Sequence, residues 1–524
     1  MRTFIKLISI LLALMMISAI IVSCDITDVA DGEKTNNTVT TARHQYDDDD
    51  DDDDNSSGSK DPDNTPVATT TPATTRPVSY VSKLPEEMNW YGEEYVVLGQ
   101  NSLGNPTWET FEIARYQEPS DIVGKAVWER NRQIKEKYNL VIEQDLVAQS
   151  YKEIMIYYVS NDDMYDMVLY DLEGLIPHMQ SGYLCDITTL NYVNFDHGAW
   201  DVSVNEQFTF GSSVYAVSSD FNLQNKAKLS CIFYNRDMAS DAGDGYLEEL
   251  VKNNQWTLDK FNEIARAYSQ DKNKNGIKGE YETDIFGLCG DQWNFLSFSV
   301  GAGYRASVAD NGRFRMAGAD NVMIDRLSKV GAFFFDNGVN LVTESIKPLD
   351  YARSVDLFTG GRALFYVSEV VNYEREIVDV ADFEAGILPF PKYNTDQECY
   401  YSQVNPKYAT LCAIPCTVVD EDLAGFGLEV LAETSTLTTY EAYINTKCKL
   451  IDSYDQKMSD MYGYIFENPV YDIVIIGDFG SFKRTMMSDI PTLKNAQKYS
   501  QLYSQRQGNA NGKIVEMMTA LGVS

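Results

Sequence analysis

From residue 86 onward the chain alternates short apolar runs with longer stretches in which apolar residues recur at helical spacing. The short runs predict buried strands, and the periodic stretches predict amphipathic helices. The predicted strands are Glu94–Gly99, Leu140–Glu143, Tyr165–Tyr170, Leu229–Tyr234, Ile285–Leu288, Ala363–Val367, Ala385–Leu388 and Tyr408–Ile414. Strands that alternate with helices are typical of an α/β protein whose helices pack on the faces of its sheets.

Polar residues mark the ends of several predicted helices. Asn139 follows the stretch Asp121–Tyr138 and suits the left-handed end of a helix. Thr257 precedes the stretch Lys260–Tyr268 and stands where an N-cap is needed. From about Leu423 the pattern is mainly helical.

The N-terminal segment has the pattern of a secretory signal. Arg2 and Lys6 precede an apolar run, Leu7–Val22, that is short for a membrane span and ends at Ser23 and Cys24. A small residue before a cysteine resembles the lipobox of bacterial lipoproteins, which implies cleavage of residues 1–23 and acylation of Cys24. A plain signal peptide or a retained helical anchor is the alternative, and in each case the rest of the chain lies outside the cytoplasm.

Residues 24–81 have almost no apolar periodicity. They contain eight consecutive aspartates, Asp47–Asp54, and a Thr/Pro-rich stretch, Thr65–Pro77. Like charges repel one another and prolines favour extended chain, so this segment is predicted to be a disordered acidic spacer.

The charge balance restricts the partners. The chain has 43 Lys and Arg residues against 78 Asp and Glu residues, a formal net charge of −35. Such a field repels phosphate backbones, so nucleic acid is excluded as a partner.

Several segments together resemble the extracellular solute-binding proteins of ABC sugar importers, the group that includes maltose-binding protein. The matching segments, in order, are Tyr165–Asp171 followed by Ser181–Leu184, Gly211–Val217, Ile232–Asp237, Trp256–Phe261, Phe358–Phe365 and Pro389–Pro391. Two positions depart from the family pattern. Arg236 replaces the commoner lysine, and Ser368–Val370 stands where the family often has a glycine-tryptophan pair that stacks on sugar.

The resemblance implies a two-lobed, periplasmic-binding-protein-like fold of type II, similar to maltose-binding protein, over residues 86–524. Lobe 1 is expected to comprise approximately residues 86–210 with part of 355–425. Lobe 2 is expected to comprise approximately residues 211–354 with part of the C-terminal helical region. The cleft between the lobes would close on an oligosaccharide and deliver it to the permease subunits of an ABC transporter, and the receptor would be a monomer anchored to the outer face of the membrane.

Candidate ligand contacts lie on loops that follow predicted strands, because ligands bind beyond the carboxyl ends of strands in α/β sheets. A sugar site combines aromatic platforms with hydrogen-bonding side chains. The candidates are Asp171, Glu173, Asp220, Trp293, Glu369 and Tyr401, with Tyr400 as a weaker one.

One loop has the pattern of a calcium site. Asp271, Asn273 and Asn275 supply oxygens at positions 1, 3 and 5, a glycine follows at position 6, and Glu282 stands at position 12. The alternative is a structural turn between a helix and a strand. No other cofactor is expected.

The sequence favours a binding protein over an enzyme. It contains no nucleophile elbow, no zinc-protease motif, no P-loop and no dinucleotide-binding fingerprint. Two alternatives stay open: a receptor of the same fold for a non-sugar solute, and a secreted glycoside hydrolase, whose paired carboxylates would be close only in space.

Overall fold

A computed structural model describes residues 82–101, 109–148, 150–243, 245–345, 352–447 and 456–523. The predicted signal peptide, Cys24 and the acidic spacer up to residue 81 lie outside the described residues. All of the described residues belong to one unit, Thr71–Ser524.

The described strands form two main sheets and three short pairs. In chain order they are β1 Glu94–Gln100, β2 Val141–Val147, β3 Met167–Asp171, β4 Thr209–Phe210, β5 Ser213–Val214, β6 Ser230–Asn235, β7 Phe286–Gly290, β8 Ser307–Asp310, β9 Arg313–Met316, β10 Asn340–Val342, β11 Ala363–Glu369, β12 Ala385–Leu388, β13 Ser402–Gln403, β14 Thr410–Ala413 and β15 Pro469–Val470.

The α-helices surround these sheets. In chain order they are α1 Ile122–Tyr138, α2 Ser150–Ser160, α3 Leu172–Gln180, α4 Val202–Gln207, α5 Leu223–Ala227, α6 Arg236–Ala239, α7 Tyr246–Lys252, α8 Leu258–Tyr268, α9 Asn294–Gly301, α10 Asn321–Phe334, α11 Ala352–Thr359, α12 Glu421–Ser435, α13 Gln456–Glu467, α14 Ile473–Ile476, α15 Phe482–Arg484, α16 Ile490–Leu493 and α17 Lys498–Ala520. Among the residues that the structure describes, none of these helices combines the length and apolarity needed to cross a membrane.

The first lobe is built on a four-stranded sheet of order β14-β3-β1-β2. β1 is parallel to β2 and β3, whereas β14 is antiparallel to β3. All five residues of β3 are buried, as expected for a strand covered by helices on both faces. α12 packs on this sheet so closely that Gly427 faces the buried Tyr95 ring.

The second lobe is built on a five-stranded sheet of order β10-β7-β11-β6-β12. β7 is parallel to β10 and β11, and β6 is antiparallel to both β11 and β12. Trp256 is fully buried beside this sheet, where its indole N–H donates to the Pro389 carbonyl at 2.9 Å. Of the stretch 355–425, therefore, β11 and β12 lie in the second sheet and β14 lies in the first.

The predicted capping residues lie at the observed ends of two helices, α1 and α8. Asp121 caps α1 by accepting from the Gly124 N–H, and Asn139 ends the helix in the left-handed region at φ 51°. Thr257 caps α8 by accepting from the Lys260 N–H. These short-range signals were readable because each depends on residues three or four positions apart.

The C-terminal helices are tied to the second lobe by one buried carboxylate. Asp472 accepts hydrogen bonds from the Ala306 and Ser307 N–H groups and from the Ser307 hydroxyl. It also caps α14 through the Val474 N–H. This carboxylate therefore fixes the position of the C-terminal region against the loop before β8.

Candidate ligand-binding site

The carboxyl edges of the two sheets face each other. In the second lobe β11 ends at Glu369, which pairs with Ser230 at the start of β6. In the first lobe β3 ends at Asp171, which pairs with Thr410 at the start of β14. Because the chain crosses between the lobes at the start of β6 and at the start of β14, both crossings join the edges at which the parallel strands end.

The two crossing segments, residues 217–229 and 404–410, run side by side. Leu229 forms an antiparallel bridge with Val404, and the Asn405 N–H donates to the Lys228 carbonyl at 3.2 Å. The Asn222 amide donates to the Thr410 carbonyl at 2.8 Å. Binding clefts are expected in such a place, where connections cross between sheet edges.

A cavity of about 450 Å³ lies between the lobes at this crossing. It is lined by Phe111, Arg115, Asp121, Val123, Gln224, Ala227, Val370, Val371, Tyr373, Glu374, Arg375, Tyr443 and Tyr462. The lining comes from the segment after β1, from the first crossing segment, from the turn after β11 and from the C-terminal helices. Both lobes and a crossing segment therefore contribute to one cavity.

The lining joins aromatic rings to charged and amide side chains. Phe111 is half-buried, while Tyr443 and Tyr462 are buried. Arg115 comes from the first lobe and Arg375 from the second. This chemistry suits a ligand with apolar faces and many hydrogen-bonding groups, as a sugar has.

A buried carboxylate fixes one side of the cavity. Glu112 accepts from the Phe111 N–H at 2.9 Å and from the Gln224 N–H at 3.2 Å. Burial raises the pKa of Glu112, although these backbone donors oppose that effect. Glu112 therefore links the segment after β1 to the first crossing segment, immediately behind two lining residues.

The residues that the sequence singled out in the first lobe have structural partners. Asp171 caps α3 through the Gly174 N–H at 2.8 Å, and burial raises its pKa to about 6. Glu173 is exposed and forms an ion pair with Lys483 at 2.7 Å. Asp171 is the last residue of β3 and Glu173 lies in the first turn of α3, but neither lines the 450 Å³ cavity.

Asp220, in the first crossing segment, is also engaged by protein. It is 1% exposed and accepts from the Thr436 hydroxyl at 2.8 Å. The sequence could not show this contact, because 216 positions separate the two residues.

In the second lobe Trp293 and Glu369 lie at the carboxyl edge of the sheet. Trp293 is 37% exposed in the turn between β7 and α9. Glu369 ends β11 beside the cavity, where it accepts from the Asn405 amide and lies 3.4 Å from the Lys228 ammonium. Trp293 thus presents an exposed ring, whereas Glu369 balances a buried charge.

The two candidate tyrosines have different environments. Tyr400 is buried, and its hydroxyl donates to the Val251 carbonyl at 3.0 Å. Tyr401 is half-buried under the Arg305 guanidinium, 4.3 Å from its ring centroid. None of the predicted contacts lines the interlobe cavity, so their role as ligand contacts stays a prediction.

The residues that line the cavity were not among those predicted from the sequence. Phe111 and Arg115 lie on a segment without regular secondary structure, and Glu374 and Arg375 lie in one short π-helical turn, Tyr373–Val378, so no apolar periodicity marked them. Their position after β1 and β11 was the available signal, since ligands bind beyond the carboxyl ends of such strands.

A carboxyl group with unusual proton affinity lies at the same edge of the second sheet. Burial raises the pKa of Asp291 to about 7, and the Glu344 carboxylate adds to the effect. One carboxyl oxygen of Asp291 is buried and has no hydrogen-bond partner. Asp291 follows β7 directly and lies two positions before the exposed Trp293.

The predicted calcium loop is closed by its own side chains. Asp271 accepts from the Gly276 N–H at 2.7 Å, Asn273 accepts from the Asn275 N–H at 3.0 Å, and Gly276 adopts φ 82°. The carboxylate that reaches the asparagine amides is Glu280, at 3.0 Å and 2.6 Å. Glu282 is exposed. The other carboxyl oxygen of Asp271 is buried and has no hydrogen-bond partner.

A second group of possible metal ligands comprises His197, Glu429 and Glu433, whose ligand atoms lie within 4.8 Å of one another. Both ring nitrogens of His197 are engaged, since Nε2 lies 2.8 Å from Glu429 and Nδ1 accepts from the Ala199 N–H at 3.2 Å. Glu429 also accepts from the Asn194 N–H at 2.9 Å. These bonds account for the cluster as a link between the loop 194–199 and α12.

Two sheets that face each other through their carboxyl edges, joined by crossing segments, define a two-lobed α/β fold similar to that of a cyclo/maltodextrin-binding protein. The predicted fold class, which resembles maltose-binding protein, is confirmed. The crystal structure of UspC from M. tuberculosis matches with a TM-score of 0.50 at 14% identity, covering 80% of this chain and 100% of that chain. A cyclo/maltodextrin-binding protein complexed with maltotetraose matches with a TM-score of 0.50 at 12% identity, covering 81% of this chain and 96% of that chain.

At these identities the likeness is one of fold. No family model matches the sequence, and no curated protein matches it.

Proposed function

We propose that this protein is an extracytoplasmic receptor that captures an oligosaccharide between its lobes and delivers it to the permease of an ABC importer. The 450 Å³ cavity at the crossing of the two lobes carries this proposal, because aromatic and charged side chains from both lobes line it. The maltotetraose bound to the structurally similar cyclo/maltodextrin-binding protein supports a sugar as the ligand.

Capture would be coupled to closure of the lobes. A ligand that contacts Phe111 and Arg115 from one lobe and Glu374 and Arg375 from the other binds the closed arrangement more tightly than the open one. The crossing segments would act as the hinge. Acylation at Cys24 and the spacer 24–81 would hold the receptor at the outer face of the membrane.

Calorimetry tests this proposal. Purified protein is unfolded and refolded to remove any ligand that co-purifies, and is then titrated with a panel of neutral and acidic oligosaccharides. We expect saturable binding of at least one glycan, and Phe111→Ala should weaken it by about tenfold, since loss of an aromatic contact costs about 1–2 kcal/mol.

Tyr91→Ala is the matched control, because Tyr91 is 87% exposed and lies outside the cavity. Binding of a peptide or polyamine instead of any glycan would favour the non-sugar receptor, and turnover of aryl-glycosides would favour the hydrolase. If wild type and Phe111→Ala bind the glycan with equal affinity, the ligand does not bind against Phe111 in the interlobe cavity.

We also propose that the loop 271–282 binds calcium weakly. The buried Asp271 oxygen without a hydrogen-bond partner supports this, as does the Glu280 carboxylate beside the loop, since calcium prefers carboxylate oxygens. Calcium should raise the thermal midpoint of the wild type at millimolar or lower concentration, and a chelator should reverse the shift.

The loop contains its own control for the calcium proposal. Glu280→Gln should abolish the calcium-dependent shift, whereas Glu282→Gln should preserve it, because Glu280 is the carboxylate that reaches the loop asparagines. If calcium does not change the thermal midpoint of the wild type, the loop is a structural turn and the calcium proposal is wrong.

A further inference from the structure

A second cavity, of about 270 Å³, lies in the second lobe. It is lined by Gly303, Arg305, Arg326, Gln397, Glu398 and Tyr401. The interlobe cavity shares none of these residues. This second cavity forms where the end of α9, one face of α10 and the segment before β13 meet, so it is separate from the proposed sugar site.

Arg305 is held rigidly against one wall. Its guanidinium lies over the Tyr401 ring, and Nη1 donates to the Tyr304 carbonyl at 2.7 Å. Burial lowers the pKa of Arg305, and the positive charge of Arg326 lowers it further. The two cations are therefore close enough to repel each other across the cavity.

Arg326 reaches the cavity from α10. Its Nη1 donates to the Gly303 carbonyl at 3.1 Å, while its Nε is buried and has no hydrogen-bond partner. A buried donor without an acceptor costs about 1–3 kcal/mol. An acceptor that entered the cavity would remove part of this cost.

Within the described residues no carboxylate forms an ion pair with Arg305 or Arg326. Within the described part of the chain, Arg305 and Arg326 donate to backbone carbonyls, which carry no net charge. Asp472, whose field reaches Arg305, already accepts from Ala306 and Ser307. Glu398 lines the cavity but is exposed.

Gln397 and Gly303 form further parts of the cavity wall. Gln397 donates to the Gly301 and Cys399 carbonyls at 2.8 Å, so its side chain is fixed. Gly303 has φ +88°, and a Cβ there would lie 2.9 Å from Nη1 of Arg326. A larger residue at this position would push the guanidinium out of place.

We propose that this cavity binds a small oxyanion, held by Arg305 and Arg326 from two sides. Guanidinium groups match oxyanions because their planar fork donates two parallel hydrogen bonds. The ligand class comprises phosphate and small organic carboxylates, and the test separates them. The site is independent of the proposed sugar receptor function.

The test is calorimetric titration of the full chain with inorganic phosphate and, separately, with succinate, in bis-Tris chloride at low ionic strength. We expect one saturable site for at least one of these probes in the wild type. Arg326→Gln should weaken that site at least about tenfold, as expected for loss of a charge-assisted bidentate contact.

Arg132→Gln is the matched control, since it removes the same charge from an exposed residue that pairs with Glu129 and Glu136. It should leave the affinity within about twofold. Arg326→Lys keeps the charge but not the fork and should weaken binding by an intermediate factor. Glu398→Gln removes the competing carboxylate and should strengthen it.

Arg305→Gln should weaken binding as Arg326→Gln does. Circular dichroism verifies that each variant is folded, and if Arg305→Gln unfolds, Arg326→Gln and Arg326→Lys still carry the test. Binding of phosphate alone assigns a tetrahedral oxyanion, and binding of succinate alone assigns an organic acid. The proposal is overturned if the wild type binds neither probe, or if Arg132→Gln weakens binding as much as Arg326→Gln.

Discussion

At the scale of single residues, Glu369 and Glu173 each pair with a lysine, but the two lysines differ in burial. Glu369 and Glu173 were both candidate contacts because each follows a strand. Lys228, the partner of Glu369, is 1% exposed in its side chain, whereas Lys483, the partner of Glu173, is 20% exposed. Burial lowers the pKa of Lys228, and Glu369 opposes that effect.

Glu369→Gln should lower the free energy of unfolding by about 2–4 kcal/mol, because it leaves a buried ammonium without its ionic partner. Urea denaturation measures the loss. Glu173→Gln, which removes an exposed pair, should cost less than about 1 kcal/mol. Comparable losses in both variants would show that Glu369 does not stabilise Lys228.

At the scale of elements, two glycines in helices behave differently because of their surroundings. Gly427 lies inside α12, where an added Cβ would overlap the Tyr95 ring. Gly512 lies inside α17, where an added Cβ would meet nothing within 4 Å. The first glycine permits close packing of α12 on β1, and the second only lowers helix propensity.

Gly427→Ala should therefore destabilise the protein by about 1–3 kcal/mol through overpacking. Gly512→Ala should stabilise it by about 0.5–1 kcal/mol, since alanine favours the helix over the unfolded chain. Thermal and urea unfolding of the two variants should move in opposite directions, and a stabilising Gly427→Ala would refute the packing argument.

At the scale of the whole molecule, the stability of the fold is coupled to pH through the edge of the second sheet. The pKa of Asp291 is raised to about 7 by burial and by Glu344, with Thr343 opposing and Glu376 adding to the effect. Between the ordinary pKa of an aspartate, about 3.9, and this value the folded chain binds more protons than the unfolded chain. The contribution of the protonated Asp291 carboxyl to the free energy of unfolding is therefore fully present below about pH 4. It is lost as pH rises to about 7.

Asp291→Asn should flatten the fall in unfolding free energy between about pH 4 and pH 7. The substitution should remove about 2–4 kcal/mol of this pH-dependent decrease, since each tenfold change in proton affinity equals about 1.4 kcal/mol. Urea denaturation across this pH range provides the measurement, with Asp396→Asn at an exposed position as the control for loss of one charge. An unchanged slope in Asp291→Asn would assign the pH dependence to other groups.

The sequence by itself determined the α/β class, most strands and the helix caps, and it contained an order of segments that resembles solute-binding proteins. These features depend on residues close together along the chain, where periodicity and capping are visible. The tertiary structure alone decided that Phe111, Gln224, Arg375 and Tyr462 share one cavity. It also decided that Glu280 closes the 271–282 loop and that Glu369 pairs with Lys228. The reason is physical: a cavity or an ion pair between lobes is made by side chains that only chain folding brings together, and no local pattern records which loops will meet.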